Sequence, residues 1–504
     1  MTRLAITEKI GYAAGDAAAN LVWRGALTYL AVFYTDVFGL TAAAAAALFL
    51  IVRLTDGITD IIVGMLADRS NSRWGKFRPW VLFSSPLLAL FMVMSFTTPE
   101  FSQSGKLAYA YFTYIGLTLF YTLNNVPYSA MMGVMTDDQQ ERTSLSSYRF
   151  AGAFVGGIFV MGLLPEFVKY FGQGNEQLGY QYTMYLFALM LLVFMLITFV
   201  TTKERVVTTE TPTPGEFKDL FKNLPFVLLP FAAISLFFYY RDLVTGIICA
   251  VALFICYVVI NKLKSKPQDK LSKTQLDFID LLSNRPWLIL IGMGFLLIMY
   301  TGIRYGVAAY YFKYIINNET LLGYYFITLL VISIPGALAT NKLSKVFGKK
   351  ALFAGSLALS GFINGFIFWV QPEQIELLFV LGSVSEFFAA ITPALYFAML
   401  GDSADYSEWK TGRRATGLVY SAGTFIQKTG GGFAGALILL ILANQGYNSQ
   451  DSESIHAAKD SIIWLMSWIP SIFAFIGASL ILFYPISGHL MNTINSELAI
   501  SRKQ

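Results

Sequence analysis

Apolar residues in this chain come mainly as long runs rather than as alternation or a single helical stripe. Twelve runs of about 20 or more residues lie near 12–36, 43–66, 79–98, 106–130, 146–168, 180–201, 286–312, 321–341, 350–370, 375–400, 415–444 and 460–487. A helix needs roughly 20 largely apolar residues to cross the hydrocarbon core of a bilayer. Two shorter runs, 225–240 and 243–261, sit between the sixth and seventh long ones. The pattern therefore predicts an all-α polytopic membrane protein of about 14 spans. It divides into a six-helix bundle over 1–205, a linker over 206–285 that carries a transmembrane hairpin at 225–261, a second six-helix bundle over 286–490, and a tail over 491–504.

The short pair must count as two crossings or none, because a single crossing would invert every later loop. A local repeat flanks it. Phe217-Lys-Asp-Leu-Phe-Lys-Asn-Leu-Pro225 resembles Phe278-Ile-Asp-Leu-Leu-Ser-Asn-Arg-Pro286, each reading as a short amphipathic helix that ends at a span-opening proline. The similarity is either chance between two helix starts or a duplicated junction that accepted a hairpin.

Basic residues test this division. Of the 36 Lys and Arg, 27 fall in the N-terminal segment and in the alternate loops on its side or the span ends beside them, five in or beside the opposite loops, and four (Arg24, Arg53, Arg304 and Lys428) deeper inside spans. Cytoplasmic loops of membrane proteins are enriched in Lys and Arg, so the bias predicts that both termini are cytoplasmic. Met1–Lys9 is short and polar and predicts no cleaved leader.

Composition narrows the function classes. The chain of 504 residues is 56% hydrophobic and only 13% charged, about half the charge of an ordinary soluble domain. Two Cys and two His are too few for a zinc or haem site. Cys249 and Cys256 lie seven positions apart in one run, roughly 10 Å along a helix, beyond disulfide reach. No nucleophile motif or phosphate loop is present, so no enzyme is expected.

What remains informative is the charge inside the spans, where ionisable groups are expensive and usually functional. Arg53, Asp56 and Asp60 share one stripe of the second span. Two carboxylates one turn apart repel in a low-dielectric site and need a cation, a proton or a basic partner. Oxygen ligands suit Na⁺ or Li⁺, the same pair would take H⁺, and a static ion pair with Arg53 or Lys428 is the alternative. Asp16, Asn20 and Arg24 line one face of the first span. Tyr121-Thr122-Leu123-Asn124-Asn125-Val126-Pro127-Tyr128 ends the fourth, where amides that both donate and accept suit a polar ligand or an interhelical bond. Arg149, Arg304, Lys428 and Glu386 complete the set. Two charged loops, 64–79 and 401–414, carry opposite charges able to pair between halves or simply to sit in solvent.

These residues resemble the glycoside–pentoside–hexuronide:cation symporter family of the major facilitator superfamily. The resemblance rests on Tyr34-Thr35-Asp36-Val37-Phe38-Gly39, Arg53…Asp56…Asp60, Asp68-Arg69…Arg73-Trp74-Gly75-Lys76-Phe77-Arg78-Pro79, Asn125-Val126-Pro127-Tyr128, Asp402…Asp405-Tyr406…Glu408-Trp409-Lys410…Gly412-Arg413, and Lys428. It covers nearly the whole chain outside 225–277. It implies the major facilitator fold, with two six-helix bundles around a central cavity exposed alternately to each side. It also implies sugar symport coupled to Na⁺ or H⁺, a functional monomer in a bacterial inner membrane, no nucleic-acid partner and no cofactor beyond the coupling ion. The cation site maps onto Asp56, Thr59, Asp60 and Thr122, with Asp56 and Asp60 as the ligands if the ion is Na⁺. The substrate site maps onto Asn20, Arg24, Tyr121, Asn125, Arg149 and Lys428. Gating ion pairs are expected among Asp68, Arg69, Arg73, Lys76, Arg78, Asp402, Asp405, Glu408 and Arg413. Positions 20 and 125 are Asn where galactoside-transporting members use Asp, so galactoside specificity does not carry over. The expected substrate is a glycoside, a pentoside or a hexuronide-type acidic oligosaccharide. A lysolipid-type transporter and a non-transporting sugar sensor are the alternative readings.

Overall fold

The structure is a computed structural model that describes residues 4–30, 33–206, 243–264, 271–318, 320–445 and 452–501, with Lys218, Lys222 and Leu229. Among these residues the chain is helical throughout. The N-terminal half comprises α1 (Ile6–Thr28), α2 (Ala42–Asp68), α3 (Arg78–Ser95), α4 (Gln103–Met135), α5 (Gln139–Ile158), α6 (Leu164–Gly172) and α7 (Glu176–Thr201). Then come α8 (Leu243–Lys264) and α9 (Lys273–Ser283). The C-terminal half comprises α10 (Arg285–Tyr314), α11 (Thr320–Phe347), α12 (Lys349–Gly365), α13 (Ile375–Thr411), α14 (Thr416–Asn444), α15 (Ser452–Met466) and α16 (Trp468–Leu480), and α17 (Gly488–Ser501) closes the chain. A π-helical turn at Phe159–Leu163 joins α5 to α6, and Ser467 separates α15 from α16.

Eight of the described helices are long and apolar enough to cross a membrane. Although α4 is 33 residues long, it is not among them. It carries Thr118, Thr122, Asn124 and Asn125, and polar side chains placed inside a bundle lower the hydropathy of the span that bears them. Outer helices show the reverse. Leu189, Leu196 and Val200 of α7 and Phe83 and Leu90 of α3 are at least half exposed, a distribution that only a lipid solvent tolerates over so large an area. Of the segment 225–261, where a transmembrane hairpin was expected, the described residues cover the second half as the helix α8, which is not among those eight and whose Val244, Ile247, Val251 and Phe254 are exposed. Except for Leu229, the first half of the segment lies outside the described residues.

The halves meet along two related seams. On one, α2 packs against α14 and α5 against α11. On the other, α4 packs against α14 and α5 against α13. Counting spans, each pair maps onto its mate when the halves are exchanged, so the interface is pseudo-two-fold. Small residues set these crossings, as is usual where lipid supplies no hydrophobic drive. Gly64 of α2 faces the Gly417 carbonyl of α14 across the first seam, and within the C-terminal half Gly336 of α11 faces the Phe387 carbonyl of α13. Within the N-terminal half, Gly152 and Gly156 of α5 lie against the Ala13 and Ala17 carbonyls of α1.

Asn124 belongs to this framework. Its amide donates to the Val81 carbonyl at 3.1 Å and to the Ser84 and Ser85 hydroxyls at 2.9 and 3.0 Å, tying α4 to α3.

A Cβ at Gly156 would sit 2.4 Å from the Ala17 carbonyl oxygen, whereas one at Gly355 meets nothing within 4 Å. Gly156→Ala is expected to cost about 1–3 kcal/mol by overpacking and to lower the melting temperature of the detergent-purified protein. Gly355→Ala should leave it unchanged or slightly higher, and equal melting temperatures for the two variants would contradict this packing.

Candidate functional site

Three polar layers are present among the described residues, one in the N-terminal half, one in the C-terminal half and one that joins the two. The deepest is a run of hydrogen bonds through α4, α5 and α1. The Asn125 amide donates to the Tyr121 hydroxyl at 2.5 Å, and the Ser129 hydroxyl donates to Asn125 Oδ1 at 3.1 Å. Arg149 Nη2 donates to Ser129 at 2.9 Å, and Arg149 Nε lies 3.3 Å from Asp16. One turn above Asp16, the Asn20 amide donates to the Asp16 carbonyl, and Arg24 Nε donates to Asn20 Oδ1 at 3.2 Å. Five of the six expected substrate-site residues are thus joined in one network. The side chain of Lys428, the sixth, lies outside those described.

This layer is walled by rings. Trp23 stacks on Tyr121 with centroids 5.3 Å apart. Tyr12 stacks on Tyr128 at 4.6 Å, and the hydroxyl of each donates to the backbone carbonyl of the other, clamping α1 to α4. The Arg149 guanidinium lies 4.3 Å from the ring centroid of Phe397, which belongs to α13 of the other half. Arg149 Nη1 is buried and makes no hydrogen bond. A buried N–H left unmade is costly, so this atom is a standing donor for a ligand oxygen. On α1, residues 20, 23 and 24 are partly exposed while 17–19, 21, 22 and 25 are buried. The accessible stripe is therefore the polar one.

Beside this layer, Asp60 is fully buried on α2 and accepts from the Thr122 hydroxyl of α4 at 2.9 Å. Thr59 precedes it and is partly exposed. The side chains of Asp56 and Arg53 lie outside those described. A carboxylate with a threonine hydroxyl is a hard-oxygen set that suits a small monovalent cation or a proton.

The second layer lies in the C-terminal half. Glu386 of α13 accepts from Arg304 Nη1 at 3.2 Å, from the Tyr305 hydroxyl at 3.2 Å and from the Ser333 hydroxyl at 3.1 Å. It fastens α10 and α11 to α13.

The third layer closes one end of the molecule. Arg142 of α5 has no exposed surface and donates to Asp402 at 2.7 Å and to Asp405 at 2.6 Å, both on α13. Lys349 donates to the second oxygen of Asp402 at 2.6 Å. Arg414 pairs with Asp405, donates to Glu408 at 2.6 Å, and reaches the Gly133 carbonyl in the N-terminal half at 2.7 Å. Three cations meet three anions. Around them, Asp68 accepts from the Gly417 and Leu418 amides at the N-terminus of α14 and pairs with Lys76 at 3.2 Å; a carboxylate at a helix N-terminus is favoured by the dipole. Asp138 likewise caps α5 just before Arg142.

The two charged loops contribute differently from the direct reciprocal pairing anticipated. Arg69 reaches Thr274 at 3.2 Å and Asp277 at 3.3 Å, both on α9. Arg413 forms a bidentate pair with Asp280, also on α9. The linker helix therefore stands between them. Arg78 donates to the Phe199 carbonyl, Arg73 lies over the Trp74 ring, and Glu204 accepts from the Lys76, Phe77 and Arg78 amides to cap α3. Arg73 and Arg78 belong to the N-terminal half's own scaffold. Sequence reasoning missed Arg142, Lys349, Arg414, Asp277 and Asp280 as partners. The usable signal was the stripe Asp402, Asp405, Glu408 on one helix, which requires cations from elsewhere.

Burial pushes the Asp277 carboxyl up to about 7, with Asp68 and Asp280 adding to the rise and Arg69 and Lys273 opposing it. A carboxyl raised from the ordinary value near 4 takes up a proton as it becomes buried. The packed state of α9 thus gains stability as pH falls through 7 and loses it as pH rises. Hydrogen exchange of the α9 amides, corrected for intrinsic rate, is expected to slow between pH 8.5 and 6. Asp277→Asn should abolish that dependence, and protection that instead grows with pH would mean that the Arg69 attraction outweighs burial.

A family model described as "MFS/sugar transport protein" matches residues 11–262 and 235–488. The chain is 30% identical to the inner membrane symporter YicJ of Escherichia coli K12, over 99% of this chain and 96% of that protein. It is 33% identical to the putative glycoside/cation symporter YagG of the same organism, over 90% and 86%. Among solved structures, the E. coli fucose:proton symporter FucP superimposes with a TM-score of 0.58 at 11% identity, over 95% of this chain and 98% of that one; this likeness establishes the fold.

Proposed function

This chain belongs to the MFS/sugar transport family and is a multi-pass membrane transporter rather than an enzyme, and on that premise we propose that it imports a sugar together with a monovalent cation by alternating access. The observation that carries the reading is the union, between two pseudo-symmetric halves, of a hydrogen-bonding wall at Asn20, Asn125 and Arg149, a stacking surface at Trp23 and Tyr121, and a separate buried oxygen site at Asp60 and Thr122. Amides and a guanidinium beside a flat ring suit hydroxyls and a sugar face. An acyl chain would find nothing to match in that stripe, which disfavours the lysolipid reading.

Na⁺ or H⁺ binds at Asp60 and Thr122 with Asp56 and Thr59, on the α2–α4 seam next to the Tyr121–Asn125 arm of the sugar wall. Cation binding on that seam holds α4 in the position that presents Tyr121 and Asn125 to the sugar. The coupling is reciprocal, so sugar raises cation affinity by the same factor. Lys9 pairs with Glu141 at 2.8 Å, which sets the start of α1 at the level of the Arg142 lock. Arg24 lies 15 residues further along α1, roughly 22 Å away. With both termini cytoplasmic, the lock seals the cytoplasmic end and the accessible stripe looks outward. Transport then proceeds by closing the outer end over bound sugar and cation, breaking the Arg142 lock, and releasing both inside.

Asp60→Asn and Thr122→Val are expected to keep sugar exchange in proteoliposomes and to lose accumulation against a gradient. Concentrative uptake at the wild-type level in both variants would overturn the cation site. Arg142→Ala leaves Asp402 and Asp405 short of charge, at about 3–5 kcal/mol for a broken buried pair. It should raise the labelling rate of a cysteine placed at Ala394 from the cytoplasmic side, and an unchanged rate would mean that the lock does not hold the closed state.

A further inference from the structure

Most of the described charges at the interface of the halves have a counter-charge within reach, and Arg24 does not. Asp16 is matched by Arg149 at 3.3 Å. Both Glu386 oxygens are in use, by Arg304, Tyr305 and Ser333. The six-membered lock is neutral in itself. Arg24 makes a single hydrogen bond, to a neutral amide, Asn20. No described carboxylate lies within ion-pair distance of it. The charged and titratable groups that face it at longer range are Asp16 on its own helix and Glu386 and Tyr305 across the interface. A guanidinium in a dry interior without a counter-charge is costly, yet this one is partly exposed on the polar stripe of α1.

The surroundings hold the group in place without neutralising it. A Cβ at Gly157 of α5 would sit 2.8 Å from Arg24 Nε, so the glycine leaves the floor under the guanidinium open. Asn20 occupies Nε, and both terminal nitrogens are left without a hydrogen bond among the described residues. Those two nitrogens form the edge that matches a planar carboxylate. The C-terminal half shows the contrast. Arg304 of α10 sits near the level of Arg24 in the corresponding first helix of its half, and it has been given Glu386.

We propose that Arg24 is the specificity-determining residue that receives a carboxylate on the transported sugar, making the substrate a uronate-type acidic sugar. The inference rests on the sugar-transport reading and narrows it. The acidic group completes the ion pair that the protein leaves open, while Asn125, Arg149 and Trp23–Tyr121 hold the ring. Neutral sugars leave the guanidinium unpaired and bind more weakly.

The test uses the full chain in proteoliposomes with three pairs that differ only at C6: D-glucuronate against D-glucose, D-galacturonate against D-galactose, and methyl β-D-glucuronide against methyl β-D-glucoside. At least one acid is expected to be taken up in preference to its neutral mate. A hydrogen bond to a charged group contributes roughly 1.5–3 kcal/mol, so the preference should be about ten- to a hundredfold. Arg24→Gln should erase the preference, and Arg24→Lys should keep part of it. Preferential uptake of the neutral member in every active pair overturns the inference and leaves the sugar reading intact. So does an acid preference that survives in an active Arg24→Gln protein. Failure of all six sugars to enter or to compete removes the sugar reading and this inference with it.

Discussion

A neutral cluster of six buried charges decides how the two halves stand. Arg142 reaches from α5 into α13 and takes one oxygen from each of Asp402 and Asp405, while Lys349 and Arg414 take the others. Each ion here has paid for its desolvation only through its partners, so removing one leaves the rest exposed to a cost of several kcal/mol. Such a cluster has two good states, fully assembled or fully hydrated. That bistability is what the alternating mechanism proposed above requires, since a packed interface switches rather than deforms.

The lock also explains the length of α13. Its 37 residues run about 55 Å, well beyond a hydrocarbon core of roughly 30 Å. The acidic stripe therefore sits on the helix end that projects from the core, where hydration on opening is cheap. Its counterpart α4 is also long. Pro127 precedes Thr136 by nine residues, and Pro393 precedes Asp402 by nine. Arg142 bonds both the Thr136 carbonyl and the Asp402 carboxylate. It thus bridges equivalent points of the two repeats, with an acid on one side and a neutral carbonyl on the other. The helix α9 adds a second hold on the same end through Arg69 and Arg413. This linker helix couples the loops that follow α2 and α13 without either loop touching the other's charges.

Much of the architecture was legible because a bilayer imposes a length and a polarity on each crossing segment. The long apolar runs became helices close to the expected limits, and the polar spans α1 and α4 were visible as departures from that rule. Asn124 and Asn125 show where such reading stops. Adjacent in sequence and identical in chemistry, they point in different directions: Asn124 fastens α4 to α3, and Asn125 joins Tyr121 and Ser129 on the polar run. Only a helix axis and its neighbours separate the two roles. Arg142 was legible as a basic residue near the end of a loop and no more, because its partners lie 260 and 263 positions away. Asp277 and Asp280 were hidden in the same way, on an amphipathic segment that looked like a solvated connector.

By itself, then, the sequence determined that this chain lives in a membrane, how its apolar length is divided, and which few ionisable residues had to lie inside. Those are one-dimensional facts, set by run length, hydropathy and the cost of charge in lipid. The tertiary structure decided which of those charges are spent on each other and which is left over. Asp16 and Arg149, like Glu386 and Arg304, cancel across helices, whereas Arg24 retains its charge. That difference depends on helix rotation and crossing geometry, quantities that no local pattern of residues encodes.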